Sequence, residues 1–402
     1  MFAFTSEDDT LALPLSGRDP LGTQVIWQRR ARDIVPALTG ASRQVEGFQI
    51  LITALAWWPT FAVQHKRPQK DLHNFFLLIE QIFARACKMN ATDWRLPGSR
   101  RLKDAQERDL WIGLDGRRDF LVNSPLTNGT WGIYRNPAET AGLVDASGRV
   151  PSVLAKQVLS STEVVRTMFG PIATSLADPK QRITVAQRSS KKISQLARIV
   201  ERPPQRSYFR NKLVCPANSP VTTALAELAS EQNDETIDKL LARALQRLPL
   251  FEQPLQDVSH CERYITSLDL VFEWLGSHPG CTLKELAEKL PMHLTALRGA
   301  QSRFKSSGKY EGLSANRHSA LASFSLDTSA SLIENVIEHH RLISASRGTT
   351  PLISWSDTRK LESVVATEPT EDQQIDVRHV WRNSYYLDSL RQLAVRTARR
   401  LP

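Results

Sequence analysis

Residues 48–63 read FQILITALAWWPTFAV and carry no charged side chain. Such a run leaves few places to go. It is shorter than the ~20 residues that cross a hydrocarbon core, and Pro59 interrupts it. It predicts a helix buried in protein, with membrane contact as the alternative. Residues 70–89, KDLHNFFLLIEQIFARACKM, predict a second long, mostly buried helix after 43–58. The HKRPQK link between the two holds a proline breaker.

The remaining pattern is also mostly helical. VIWQRRARDIV reads as a helix ending near Pro36, and 221–248 as one or two amphipathic helices. Residues 256–276 read as another, and SYYLDSLRQLAVRTARRL as a closing helix with Arg396, Arg399 and Arg400 in its last turns. Residues 96–109 read as a charged loop or short helix, and 368–376, EPTEDQQID, as an exposed acidic linker. In 126–153 a short helix over 136–143 is expected. A strand–turn–strand is expected to follow it, turning at Ala146-Ser147-Gly148, which is how a winged helix ends. No repeat of 20–50 residues is visible. A length of 402 residues favours several domains. The divisions expected are 1–125 (helical), 126–215 (winged-like element plus basic helix), 216–330 (helical or winged-helix) and 331–402 (α+β). The fold class is mainly α and multidomain, with at least one winged-helix-like α+β unit.

Charge is concentrated. The chain carries a net +10, and residues 151–212 hold 12 basic and 3 acidic residues. Within KQRITVAQRSSKKISQLARIVERPPQRSYFRNK, residues 180–212, ten side chains are Lys or Arg and only Glu201 is acidic. On a helix over 186–202, Ile193, Leu196, Ala197 and Val200 share one face. Arg188, Lys191, Lys192, Arg198 and Arg202 take the other, and Pro203-Pro204 ends the helix. Arg206, Arg210 and Lys212 follow, interleaved with Tyr208 and Phe209. A row of cations displaces condensed counterions from a polyanion, and aromatic rings can stack on bases. The row lacks the acidic i,i+4 partners of an ordinary solvated face. DNA or RNA is the expected partner; an acidic protein surface and plain solvation are the alternatives.

A second informative stretch is HPGCTLKELAEKLPMHLTALRGAQSRFKSSGKYEGL, 278–313. Thr282 and Glu285 form a capping box, and Leu283, Leu286, Ala287 and Leu290 line a first helix. After Pro291, a second helix over 293–305 buries Leu294, Leu297, Ala300 and Phe304 and stops at Gly308. These residues resemble the helix-turn-helix core of winged-helix proteins, except that Pro291 stands where Gly is common. That resemblance implies an outward face of Thr295, Arg298, Gln301, Ser302 and Lys305, with Arg298 and Gln301 able to reach base edges. The stretch 251–300 carries a net −3, and a protein-docking role is the strong alternative to base reading.

Catalytic signatures are sparse. There is no G-x-x-x-x-G-K-[ST], G-x-S-x-G, H-E-x-x-H or paired C-x-x-C. Glu285, Glu288 and Lys289 superficially offer a nuclease-like set, but i,i+3 carboxylates on a helix are ordinary surface groups. His260-Cys261 with His278 and Cys281 contain zinc-type ligands, though adjacent ligands suit one tetrahedron poorly. No cofactor or metal is expected. His339-His340 with Arg341 and Arg347 read as a helix-to-strand connection or, alternatively, a second phosphate loop. Trp57-Trp58, Trp131 and Trp355 read as core anchors. Four cysteines are too few for a disulfide framework, and MFAFTSEDDTLALPL lacks the basic n-region of a secretory leader. A cytoplasmic location and no membrane contact are expected.

LPLSGRDPLGTQVIW…IVPALT, TWGIYRNPAETAGLVD and SYYLDSLRQL together resemble uncharacterised bacterial proteins encoded in phage-defence gene clusters. The resemblance spans most of the chain and implies a component of a multi-gene system; it carries over no site residues. The expected function is that of a non-catalytic nucleic-acid-binding subunit working beside other protein subunits. A nuclease with an unrecognised active site and a protein-only scaffold are the alternatives.

Overall fold

The computed structural model describes residues 19–98, 101–102, 109–232, 234–364 and 375–398. It is mainly helical, with two short two-stranded antiparallel sheets. The chain forms two compact units, each discontinuous in sequence. One takes in the described residues up to Ile34 together with Asp234–Tyr385; the other runs from Val35 to Asn233 and resumes at Tyr386.

In the second unit the uncharged run folds as the middle of the helix Val45–Gln64. Pro59 does not end it: the helix continues to Gln64, one backbone donor short. Aromatic packing on both sides of the proline holds the segment. Phe61 lies 4.7 Å from Phe75 and 5.1 Å from Phe169, ring to ring, and Trp57 lies 5.6 Å from Phe169. The two indoles are not left unsatisfied: Trp57 Nε1 donates to Thr162 Oγ1 at 2.8 Å and Trp58 Nε1 to Gln69 Oε1 at 2.9 Å. The second predicted helix is Leu72–Met89, and the helices Thr130–Thr140, Ser152–Ser161 and Lys191–Glu201 pack around the pair. Close approach requires Gly47, where a Cβ would come within 2.3 Å of the Tyr134 ring.

Two expectations fail locally. The chain after Thr140 makes no hairpin. Asp145 Oδ1 instead accepts from the backbone of Ser147 and Arg149, both at 2.9 Å, closing a compact turn that leads straight into Ser152–Ser161. The winged-like element expected in 126–215 is therefore absent there. The basic helix also begins later than its periodicity suggests. Residues Ile183–Gln187 form a strand paired antiparallel with Asp109–Ile112, and the helix starts only at Lys191.

In the first unit the long helix Glu252–Gly276 is central, packed by Gln24–Ile34, Ile237–Arg247, Leu294–Lys305 and Ser329–Arg347. The hairpin Ile353–Trp355/Leu361–Ser363 lies after these, and isolated bridges join Thr282 to Lys360 and Met292 to Ile375. The acidic linker and the loop over 96–109 fall largely outside the described residues, as do Arg399 and Arg400.

One buried carboxyl makes the second unit sensitive to pH. Glu80 accepts from the Thr130 backbone N–H at 3.0 Å, at the start of the helix Thr130–Thr140. Burial pushes its pKa up to about 7, against the lowering effect of Thr130. The folded carboxyl thus holds its proton more tightly than the unfolded one. Its stabilising contribution is complete below about 4.5 and is lost as the pH rises through about 7. Urea-unfolding profiles should show the wild type losing on the order of 3 kcal/mol across that window. Glu80→Gln, which keeps an acceptor for Thr130, should abolish the decline; parallel profiles for the two proteins would refute the assignment.

Candidate nucleic-acid interface

The helix Lys191–Glu201 is set in place by its own sequence. The Ser190 side chain accepts from the Lys192 backbone N–H at 3.3 Å and caps the start. Ile193, Leu196, Ala197, Ile199 and Val200 are buried against Leu72–Met89 and Val45–Gln64. Crowding cations on a helix costs about 0.2–0.5 kcal/mol per neighbouring like pair. Burying one large aliphatic side chain returns about 1.5–3 kcal/mol, so packing outweighs repulsion. Beyond Arg202 the chain turns inward: Pro203 is buried, and Gln205 Nε2 donates to Ser161 Oγ at 2.9 Å.

Opposite the buried face, Lys191, Gln195, Arg198 and Arg202 fall within one narrow sector of the wheel and are exposed. Lys192 flanks them, half-buried, and Arg188 is exposed in the turn before the helix. Among the described residues no ion pair engages Lys191, Lys192, Arg198, Arg202 or Arg206.

The run of free cations is narrower than the composition of 180–212 suggests. Arg182 is anchored at home, with its Nε 2.9 Å from Asp119 Oδ1 and its guanidinium 3.8 Å from the Trp111 ring centroid. The Asp119 carboxylate is fully buried and also engages Arg118 at 3.3 Å, while Arg85 lies 3.4 Å from the same indole. Arg210 donates to the Ala394 carbonyl at 3.3 Å. Phe209 is fully buried, and Tyr208 is half-buried with the Lys212 ammonium 6.0 Å from its ring centroid. Arg206 is half-buried. The cations that face solvent without a carboxylate partner are thus centred on Lys191–Arg202.

The helix pair at 283–305 forms as expected, in Leu283–Lys289 and Leu294–Lys305. The Glu285 carboxylate accepts from Thr282 N at 2.7 Å, completing the capping box, and this contact lowers its pKa. The outward face differs in one residue. Gln301 is buried, and its Nε2 donates to Tyr264 Oη at 3.2 Å and to the Phe324 carbonyl at 2.8 Å. It cannot reach a base. Arg298 is exposed, but its Nε donates to the Leu326 carbonyl at 2.9 Å and its Nη2 to that of Asp327 at 3.3 Å. A side chain can look outward by wheel position and still be claimed by a neighbouring loop.

The weaker sequence candidates resolve into structure. His339 and His340 contact the Leu21 and Pro20 carbonyls at 2.9 Å each, and burial pushes His339 down to about 4. Arg347 pairs with Asp19 and Arg341 with Glu338, so this stretch is a helix-to-strand connection. His278 Nδ1 lies 2.8 Å from the Trp274 carbonyl and Cys261 is buried. Among the described residues no group of three or more His, Cys, Asp or Glu is placed to hold a metal ion. Trp57 and Trp58 are core residues, whereas Trp131 and Trp355 are half-buried. In sequence, the Trp111 cluster is signalled only by the alternation of DLWI and ITVAQ.

No protein-family model, curated protein or solved structure matches the chain.

Gln301→Ala should destabilise the first unit by about 1–3 kcal/mol, because it strands the Phe324 carbonyl inside. Its effect on nucleic-acid affinity should be nil; a specific loss of affinity with unchanged stability would restore the base-reading role.

Proposed function

We propose that this protein is a nucleic-acid-binding subunit that grips phosphates through the Lys191–Glu201 helix and Arg202, and that it works beside an enzyme supplied by another chain. The observation carrying this reading is the row of Lys191, Arg198 and Arg202, exposed, aligned, and without acidic partners among the described residues. Each phosphate contact releases condensed counterions, so such a row gains affinity from a polyanion and loses it with salt. An acidic protein surface would also attract the row, but carboxylates on mobile side chains offer lower and less regular charge density.

The proposal includes a cytoplasmic location, in keeping with four free cysteines. Among the described residues no helix is long and apolar enough to cross a membrane. It also includes a place in a bacterial phage-defence assembly, which rests on the sequence resemblance alone. A winged-helix-like arrangement in the first unit is part of the reading. The bridge from Thr282 to Lys360 supports it by joining the start of the helix pair to the later hairpin, although two helices, Gly312–Ala322 and Ser329–Arg347, intervene in sequence. The internal use of Gln301 favours a docking role for that element over base reading.

The triple variant Lys191→Glu, Arg198→Glu, Arg202→Glu should weaken binding to unrelated sequences alike. Each lost contact should flatten the log–log salt dependence by about 0.9 on duplex DNA. A slope equal to that of the wild type would remove the row from the interface.

A further inference from the structure

The phosphate-row reading leaves open what form of nucleic acid the row accepts. Resting on that reading, we propose that the Lys191–Arg202 row takes a duplex, of DNA or RNA, in preference to a single strand.

Two observations carry this. The first concerns rings. Proteins that hold single strands combine cations with exposed aromatic side chains on which bases stack. Among the described residues every Phe, Tyr and Trp is buried or half-buried. The rings closest to the row in sequence are already used: Phe209 is fully buried, and Tyr208 is half-buried beside Lys212. Trp111, on the strand paired with Ile183–Gln187, lies under the guanidiniums of Arg85 and Arg182. Among the described residues, an unstacked base brought to this helix meets charge but no fully exposed ring.

The second is rigidity. The row stands on a helix about 16 Å long whose other face is packed into the core, so the backbone positions that carry the cations keep a fixed spacing. A duplex presents a fixed lattice of phosphates, one charge per ~1.7 Å of axis, about twice the density of one of its strands. A rigid row matches a rigid, dense lattice without ordering it first. A single strand must be straightened on binding, and among the described residues no fully exposed ring offsets that cost.

The test uses the full chain and fluorescence anisotropy with four probes of matched length: duplex DNA, duplex RNA, and one component strand of each. Titrations run at about 50 mM and about 200 mM salt. Contacts from Lys191, Lys192, Arg198 and Arg202 predict a log–log slope near −3.6 for duplex DNA and near −2.8 for a strand. With equal affinities at about 1 M salt, that difference gives roughly sixfold tighter duplex binding near 0.1 M salt. Preference of that size for either duplex over its own strand supports the proposal. A strand bound as tightly as its duplex overturns it. The phosphate-row reading then survives if the triple charge reversal still abolishes strand binding. Absence of binding to all four probes overturns both.

Discussion

The burial of the helix Val45–Gln64 is the constraint on which the second unit rests. Most of its residues are buried, on all sides of the cylinder, so no single neighbour can cover it. Leu72–Met89, Thr130–Thr140, Ser152–Ser161 and Lys191–Glu201 are among the elements that do. The basic helix is one of these covers. Its apolar face is demanded by the core, and its cations occupy the face left over. The alignment of the backbone positions of Lys191, Arg198 and Arg202 is thus fixed by packing on the opposite side, with no ion pair to these three among the described residues.

Burying so much apolar surface forces polar groups inside, and each must find a partner. Gln81 does so by pairing in both directions with the Gly113 backbone, at 2.8 and 3.2 Å. In the first unit Glu262 gathers the backbone N–H of Arg382 and Asn383 and the Asn383 side chain at 2.5–2.9 Å. Gln301 belongs to the same class of residue. Such groups are costly to leave unmade, so internal satisfaction takes precedence over an outward role that wheel position alone would allow.

Both units commit many of their cations internally. In the first, Arg30 is claimed by Asp33 at 2.9 Å and lies 4.3 Å from the Tyr310 ring centroid; Arg347 is claimed by Asp19 and Arg382 by Glu273. In the second, Asp119 claims Arg182 and the Ala394 carbonyl claims Arg210, whereas among the described residues no ion pair engages Lys191, Arg198 or Arg202. Composition counts all of these cations equally. Function depends on the uncommitted ones.

Local pattern determined much on its own. The uncharged run, the Thr282–Glu285 capping box and the apolar spacing of Ile193, Leu196 and Val200 each specify a helix and its buried face from neighbours within a few residues. Proline and turn signals were less decisive, because Pro59 was overridden by aromatic packing and Asp145 closed a turn with no strands to join. Tertiary structure alone decided the rest. The pairing of Ile183–Gln187 with Asp109–Ile112 links segments more than seventy residues apart, and it removed Arg182 from the free cations. Whether an Arg or Gln points to solvent, to a carboxylate or to a carbonyl depends on groups brought near by the fold, and no periodicity within the helix encodes that.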